Sequence, residues 1–342
     1  MADRIPITVL CGFLGSGKTT VLRHLAQQGS LKKTLVLVNE FGEIGLDHDL
    51  LMPIDDDTLV AVDNGCICCT IRADLVQTLS QAPWRYARDG ERWFDRVVIE
   101  TTGIADPAPI IQSIIGEAKV SEQYALAAVL TTVDAVVGLD TLDRHIEAVK
   151  QVAVADRILV TKSDLADGVS STLRNRLKRL ASSAPISTVD FGQAEPAWFM
   201  KDGVSASEAQ LGEIESWFDD AHTHNHADRS EHLHDAASSR HGVVSSKTVT
   251  IDAPVDPGLF EACLEMLLRF RGPDLLRIKG IVNVIGVDRP MVIHGVQHVF
   301  HPPEILEAWP SDDRRTRLVM ITKDLDQAEL VGCFTSLGVE AY

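Results

Sequence analysis

The first two-thirds of the chain alternate short β-branched runs with stretches of helical spacing. ITVLC, TLVLVN, TLVAVD, RVVIE, ALAAVLTTVD, RILVT and ISTVD are short, apolar and bounded by turn residues, which predicts buried strands. Between them, KTTVLRHLAQQ and HIEAVKQVAVA repeat apolar residues at helical intervals. Continuous apolar strands alternating with helices predict a mostly parallel sheet covered on both faces. From about Gln210 the pattern dissolves. DDAHTHNHADRSEHLHDAASSRHG is polar and lacks an apolar period, as expected of an exposed linker. Order returns at SSKTVTID, which alternates like a half-buried strand. A helix follows in PGLFEACLEMLLRF, with Pro257 near its start, then strands in KGIVNVIG, MVIHGVQHVF and RLVMIT, and a last helix after Asp326. We therefore expect an α/β domain of αβα layers over 1–209, a linker over 210–245 and a smaller C-terminal α+β domain over 246–342.

Length agrees with two domains, because at 342 residues one hydrophobic core has stopped growing. The start, MADRIPITVLCGF, has no basic segment followed by a long apolar core, and no run reaches the length of a spanning helix. A cytoplasmic protein is expected. Thiols stay reduced there, so clustered cysteines point to metal or catalysis before disulfides. Lys and Arg number 32 against 49 Asp and Glu, a net charge of −17. Such a surface repels nucleic acid and anionic membrane, so neither is an expected partner. The basic clusters RNRLKR and DDRRTR are short and read as solvated helix faces or turns.

GFLGSGKT, Gly12 to Thr19, follows a predicted strand and opens a predicted helix, the setting of a P-loop. Gly12, Gly15 and Gly17 let successive N–H groups turn toward phosphate oxygens, and the helix N-terminus adds positive dipole. Lys18 reaches the β- and γ-phosphates, and the Thr19 hydroxyl ligates Mg²⁺. Such a loop needs an acid at the end of another strand, to hold the magnesium shell or polarise water. RVVIETTG supplies Glu100 there, with Gly103 placed for close approach of backbone to a γ-phosphate. Lys18 and Glu100 are the candidate catalytic pair. In LVTKSD, Asp164 could accept both N1–H and the exocyclic amine of guanine while the stem of Lys162 packs over the base. GTPases at large carry Asn where Thr161 stands, and the shorter hydroxyl is expected to weaken one base or loop contact.

NGCICCT places Cys66, Cys68 and Cys69 within four positions. Disulfides between such close neighbours would be strained, and a catalytic thiol needs one sulfur rather than three. A buried apolar turn is one reading, since free cysteine buries readily. The other is a metal site: adjacent thiolates repel unless a cation neutralises them, and Zn²⁺ suits sulfur. Three sulfurs leave a fourth position open, as a transfer site requires. NEFGEIGLD, after the second strand, offers Glu40, Glu43 and Asp47 as magnesium- or metal-facing carboxylates, or as a solvated acidic loop. His222, His224, His226, His232, His234 and His241 crowd the linker, where they either bind a divalent ion loosely or simply keep it polar. His294, His298 and His301 read as surface or packing residues, and Cys11, Cys263 and Cys333 as core.

Taken together, GFLGSGKTT, NEFGEIGLD, GCICCT and ETTGIADP resemble the CobW-like family of P-loop GTPases, relatives of the nickel-insertion GTPases of urease and hydrogenase maturation. LLRIKGIV, GVQHVFHPPEILEAWP and RLVMITKDLD resemble that family's C-terminal domain, so the resemblance spans the chain apart from the linker. It implies a P-loop NTPase αβα sandwich, GTP hydrolysis, and nucleotide roles for Gly12, Gly15, Ser16, Gly17, Lys18, Thr19, Thr20, Lys162 and Asp164. Magnesium or switch roles pass to Glu43 and Glu100, and metal ligation to Cys66, Cys68 and Cys69. The implied function is a GTP-dependent chaperone that delivers Zn²⁺ to a client apo-metalloprotein. Homo-oligomerisation is compatible with it. Family members are linked to zinc, to cobalt for cobalamin synthesis and to nitrile hydratase activation. The thiolates and linker histidines favour zinc, although Co²⁺ accepts the same donors. Two other classes remain: a zinc buffer or sensor with slow nucleotide turnover, and a small-molecule P-loop kinase. The intact nucleotide residues argue against the first, and the lack of an evident lid with phosphate-clamping arginines against the second.

Overall fold

β1 (Ile5–Gly12) has no polar face: Ile7, Val9 and Leu10 are all buried, and such a strand is stable only inside a covered sheet. In the computed structural model, which describes residues 4–39, 58–63, 71–166, 168–199 and 243–342, β1 lies at the middle of a seven-stranded sheet. α1 (Lys18–Gln27) leads to β2 (Thr34–Asn39), and β3 (Thr58–Asp63) follows. α2 (Ile71–Arg85) and a small hairpin of β4 (Ala87–Arg88) and β5 (Glu91–Arg92) precede β6 (Arg96–Glu100). α3 (Ala108–Gly116) and α4 (Ala118–Ser121) connect to β7 (Tyr124–Asp134). α5 (Gly138–Arg144) and α6 (Ile146–Ala153) connect to β8 (Arg157–Thr161), and α7 (Ser171–Leu180), which carries RNRLKR, to β9 (Ile186–Val189).

The sheet order is β3-β2-β6-β1-β7-β8-β9, and its neighbouring strands pair in parallel. The chain thus moves to one side of β1 for β2, β3 and β6, then to the other for β7, β8 and β9. At such a reversal the loops diverge and leave a crevice beyond the carboxyl ends of the strands. Register decides what meets there: Leu10 pairs with Glu100, Gly12 with Thr132, Asp134 with Thr161, and Thr161 with Val189. α1 is anchored beside the crevice by Val21, Leu22 and Leu25, which join Leu10, Val36, Val98, Leu130 and Leu159 in one core.

The C-terminal part of the chain is built on an antiparallel sheet, as the broken strand–helix alternation predicts. Its elements are β10 (Val244–Ile251), α8 (Pro257–Arg271), β11 (Leu275–Val282), β12 (Met291–Val296), β13 (Val299–Phe300), β14 (Glu304–Ile305), β15 (Thr316–Lys323) and α9 (Gln327–Thr335). The order is β10-β15-β11-β12-β13, with β14 on β12. Asp256 starts α8 by accepting the Leu259 N–H at 2.9 Å, and Asp326 with Glu329 forms a capping box on α9. Phe260 and Leu267 of α8 and Leu330 and Phe334 of α9 bury against Val249, Ile278, Leu318 and Met320.

Two expectations for this part change. DDRRTR is not simply a solvated turn: Arg315 forks onto Asp313 with two 2.9 Å bonds, and Arg317 is buried within β15. Cys263 is core as expected, whereas Cys333 is only half-buried. His294 and His301 pack edge to face, with ring centroids 6.1 Å apart. Among the described residues no helix is long and apolar enough to cross a membrane. Glu40, Glu43, Asp47, Cys66, Cys68 and Cys69 lie outside the described residues, as do His222, His224, His226, His232, His234 and His241.

Candidate functional site

The crevice opens where β1 runs into the glycine-rich loop. Gly12, Gly15 and Gly17 all have positive φ (147°, 72° and 91°), and Gly17 caps α1, whose first turn holds no acidic residue. That loop therefore presents N–H groups and a helix N-terminus to an anion, with no acid in the helix's own first turn. Lys18 is 8% exposed and donates to Gly12 O at 2.9 Å and Phe13 O at 3.4 Å, so its ammonium is held against the loop it serves. Ser16 is fixed by a 2.7 Å hydroxyl pair with Thr132, while Thr20 is exposed in the first turn of α1. Behind the loop, burial pushes the Cys11 thiol up to about 11, as suits an unreactive core residue.

Thr19 and Glu100 come together across 81 positions of sequence: Thr19 Oγ1 donates to Glu100 Oε1 at 2.7 Å. Glu100 is 4% exposed at the end of β6, set there by its register with Leu10. A hydroxyl and a carboxylate beside a phosphate cradle are hard oxygen donors, and they fit Mg²⁺. The loop after Glu100 lies directly on the P-loop. A Cβ added to Gly103 would fall 2.6 Å from the Leu14 nitrogen, so only glycine permits this approach. Buried Gln151 of α6 grips that loop from behind, donating Nε2 to Gly103 O at 3.1 Å and to Ala105 O at 3.0 Å. Its neighbour Lys150 adds a 2.7 Å contact to Asp106.

On the other side of the P-loop, Thr161 ends β8 and donates to Ser16 O at 2.7 Å and Val133 O at 3.3 Å. The shorter hydroxyl thus does make a loop contact, tying the loop of Lys162 and Asp164 to the P-loop. Lys162 has φ 57° and bonds Asp134 Oδ2 at 2.7 Å, before a short 3-10 turn, Ser163–Leu165, that exposes Asp164. Asp134 Oδ1 also accepts the N–H groups of Val136 at 2.7 Å and Val137 at 3.1 Å. Burial opposes the charge of Asp134, but Lys162 and these N–H groups outweigh it and hold the carboxyl below the usual carboxylate range. Sequence reasoning passed over Asp134 and Gln151. Asp134 ends an apolar strand as Glu100 does, and that shared position was a usable signal. Gln151 sits in a helix and gives none.

A model of the CobW/HypB/UreG nucleotide-binding domain matches residues 6–188, which take in the P-loop, Glu100, Gly103, Lys162 and Asp164. The chain belongs to the CobW/HypB/UreG family. A model of the CobW C-terminal domain matches residues 244–336. Among relatives within the family, the chain is similar to zinc chaperone YjiA of Escherichia coli (strain K12), 33% identical over 335 residues and covering 97% of this chain and 98% of YjiA. It is also similar to zinc chaperone CobW of a Sinorhizobium species, 29% identical over 365 residues, covering 98% of this chain and 97% of that protein. The solved structure of the Zn(II)-bound YjiA GTPase from E. coli superposes with a TM-score of 0.71 at 28% identity, covering 98% of this chain and 99% of that one.

Proposed function

We propose that this CobW/HypB/UreG-family chain is a GTPase that couples nucleotide binding and hydrolysis to the delivery of Zn²⁺ to client metalloproteins. The observation that carries the reading is end-to-end similarity to a zinc chaperone whose GTPase structure holds Zn(II). In support, the nucleotide-handling side chains are already gathered in one crevice.

Lys18 exchanges the carbonyls of Gly12 and Phe13 for β- and γ-phosphate oxygens, while the N–H groups from Gly15 to Thr20 cradle the phosphates. Thr19 and Glu100 would hold Mg²⁺, which when bound neutralises phosphate charge. Glu43 is the candidate for the same shell from the preceding loop. Gly103, lying against Leu14, is placed to register the γ-phosphate, and the Gln151 grip gives it a fixed resting position. Asp164 reads guanine while Lys162, oriented by Asp134, covers the base. Cys66, Cys68 and Cys69 take the zinc as thiolates and leave its fourth position to a client. His222, His224 and His226 gather the ion loosely beforehand. The polar stretch 210–245 joins a GTPase domain, 1–209, to a C-terminal domain, 246–342. Co²⁺ is a competing cargo because it accepts the same donors.

A thermodynamic square tests the coupling. Zn²⁺ affinity is measured with a non-hydrolysable GTP analogue and with GDP, and nucleotide affinity with and without Zn²⁺. We expect zinc to bind about tenfold more tightly in the GTP state, a coupling of about 1.4 kcal/mol, and the same factor in the reciprocal experiment. Replacing Cys66, Cys68 and Cys69 together by serine should leave GTP binding intact and remove its response to zinc. Equal zinc affinity in both nucleotide states would replace the chaperone by a zinc buffer.

A further inference from the structure

Residues 190–193 make a tight turn after β9. The Gln193 N–H donates to Asp190 O at 2.9 Å, and the central residues Phe191 and Gly192 have φ of 52° and 79°. Positive φ at both centres is the type I′ arrangement, which asks for Asn, Asp or Gly at the first. The protein follows that chemistry elsewhere: the β4–β5 hairpin turns on Asp89 and Gly90, with φ of 52° and 81°. At residue 191 a bulky aromatic side chain stands instead, in a backbone region that a Cβ disfavours. The residue is 70% exposed, so packing does little to offset the strain. Strained, exposed residues of this kind gather at functional sites.

The turn has a definite address. A Cβ on Gly192 would lie 2.8 Å from Thr20 O, so the turn rests on the first turn of α1, directly after the P-loop. The Ser163 hydroxyl donates to the Asp190 carboxylate, linking the turn to the loop of Lys162 and Asp164. That loop is tied in turn to the P-loop by Thr161 and Ser16 O. Three loops therefore close on one crevice. Among the described residues of these loops, Lys162, with φ 57°, is the other non-glycine with a left-handed backbone.

We propose that Phe191 is a wall of the nucleobase pocket, its ring stacking on the base opposite the alkyl stem of Lys162 while Asp164 reads the base edge. The proposal rests on the guanine-nucleotide reading above and adds the residue that supplies affinity for the base rather than its identity. Stacking tolerates any base, because every base has a π-face. Phe191 should therefore help GDP and IDP alike and contribute nothing to inorganic triphosphate.

The test uses the full-length protein, with GDP, IDP, ADP and inorganic triphosphate as probes and thermal unfolding of the ligand-free protein alongside. F191G and F191N both suit the left-handed backbone. F191G should leave the thermal midpoint near that of the parent. F191N, which relieves the strain without loosening the unfolded chain as glycine does, should raise it. Both should weaken GDP and IDP by the same factor, roughly 5- to 150-fold, and leave inorganic triphosphate unchanged. F191Y should keep most of the parent's GDP affinity. Unchanged GDP binding in F191G and F191N overturns the proposal and makes the exposed ring a protein contact. Parallel loss of GDP, triphosphate and thermal stability overturns it too, since a structural role would do that. Failure of the guanine reading has a different signature: the parent would bind ADP as tightly as GDP, whatever stands at position 191.

Discussion

In the proposed base pocket, Asp164 and Lys162 would divide one task between a charge and a shape. Lys162 is held by Asp134 at 2.7 Å in a left-handed conformation, while Asp164 stands exposed one turn on. A carboxylate there offers two acceptors to two guanine donors, which adenine does not present. Asp164→Asn replaces one acceptor by a donor. It should weaken GTP by at least about tenfold, as a lost charge-assisted bond does, and admit xanthosine triphosphate, whose ring carries oxygen in place of the amine. Competition binding with GTP, ATP and xanthosine triphosphate checks this. Equal affinity of the parent for GTP and ATP would remove Asp164 from base recognition. Thr161 departs from the Asn of GTPases at large, and its short hydroxyl still reaches Ser16 O.

At the scale of elements, α6 works as a brace. Its Gln151 donates to two carbonyls of the loop that follows β6, and its own backbone carbonyl accepts the Thr131 hydroxyl at 2.8 Å, so helix, loop and β7 are one hydrogen-bonded unit. The loop in question carries Gly103 onto the P-loop. Truncating the brace strands one buried carbonyl and one only partly buried, and a stranded buried group costs about 1–3 kcal/mol. Gln151→Ala should therefore lower stability by roughly 2 kcal/mol in denaturant unfolding. Hydrolysis of GTP should suffer more than GDP binding, because the base and α/β-phosphate contacts lie elsewhere. A variant with full stability and unchanged turnover would show that the loop holds its place without α6.

Across the whole molecule, the strands of the two large sheets among the described residues come from 5–189 and 244–323. Removing residues 222–241 should leave the thermal midpoint, GTP turnover and one tight zinc site in place, while weak, fast-exchanging zinc equivalents disappear. The reason is entropic: a segment without an apolar period must be ordered around the ion at its own cost. Zinc titration of the deletion variant decides it, and loss of the tight site would reverse the ranking of the two metal-binding stretches. The sequence by itself determined the long strands, the P-loop and the split into α/β and α+β parts, and it singled out Lys18, Thr19 and Glu100 as candidates, because period, turn chemistry and motif spacing act between near neighbours in the chain. It did not reveal the link of Thr161 to Ser16 across 145 positions, of Gln151 to Gly103 across 48, or of Ser163 to Asp190 across 27. Those pairs were decided by the tertiary structure. Which strand ends lie side by side depends on the order and register of parallel pairing, and no local pattern encodes that for residues so far apart.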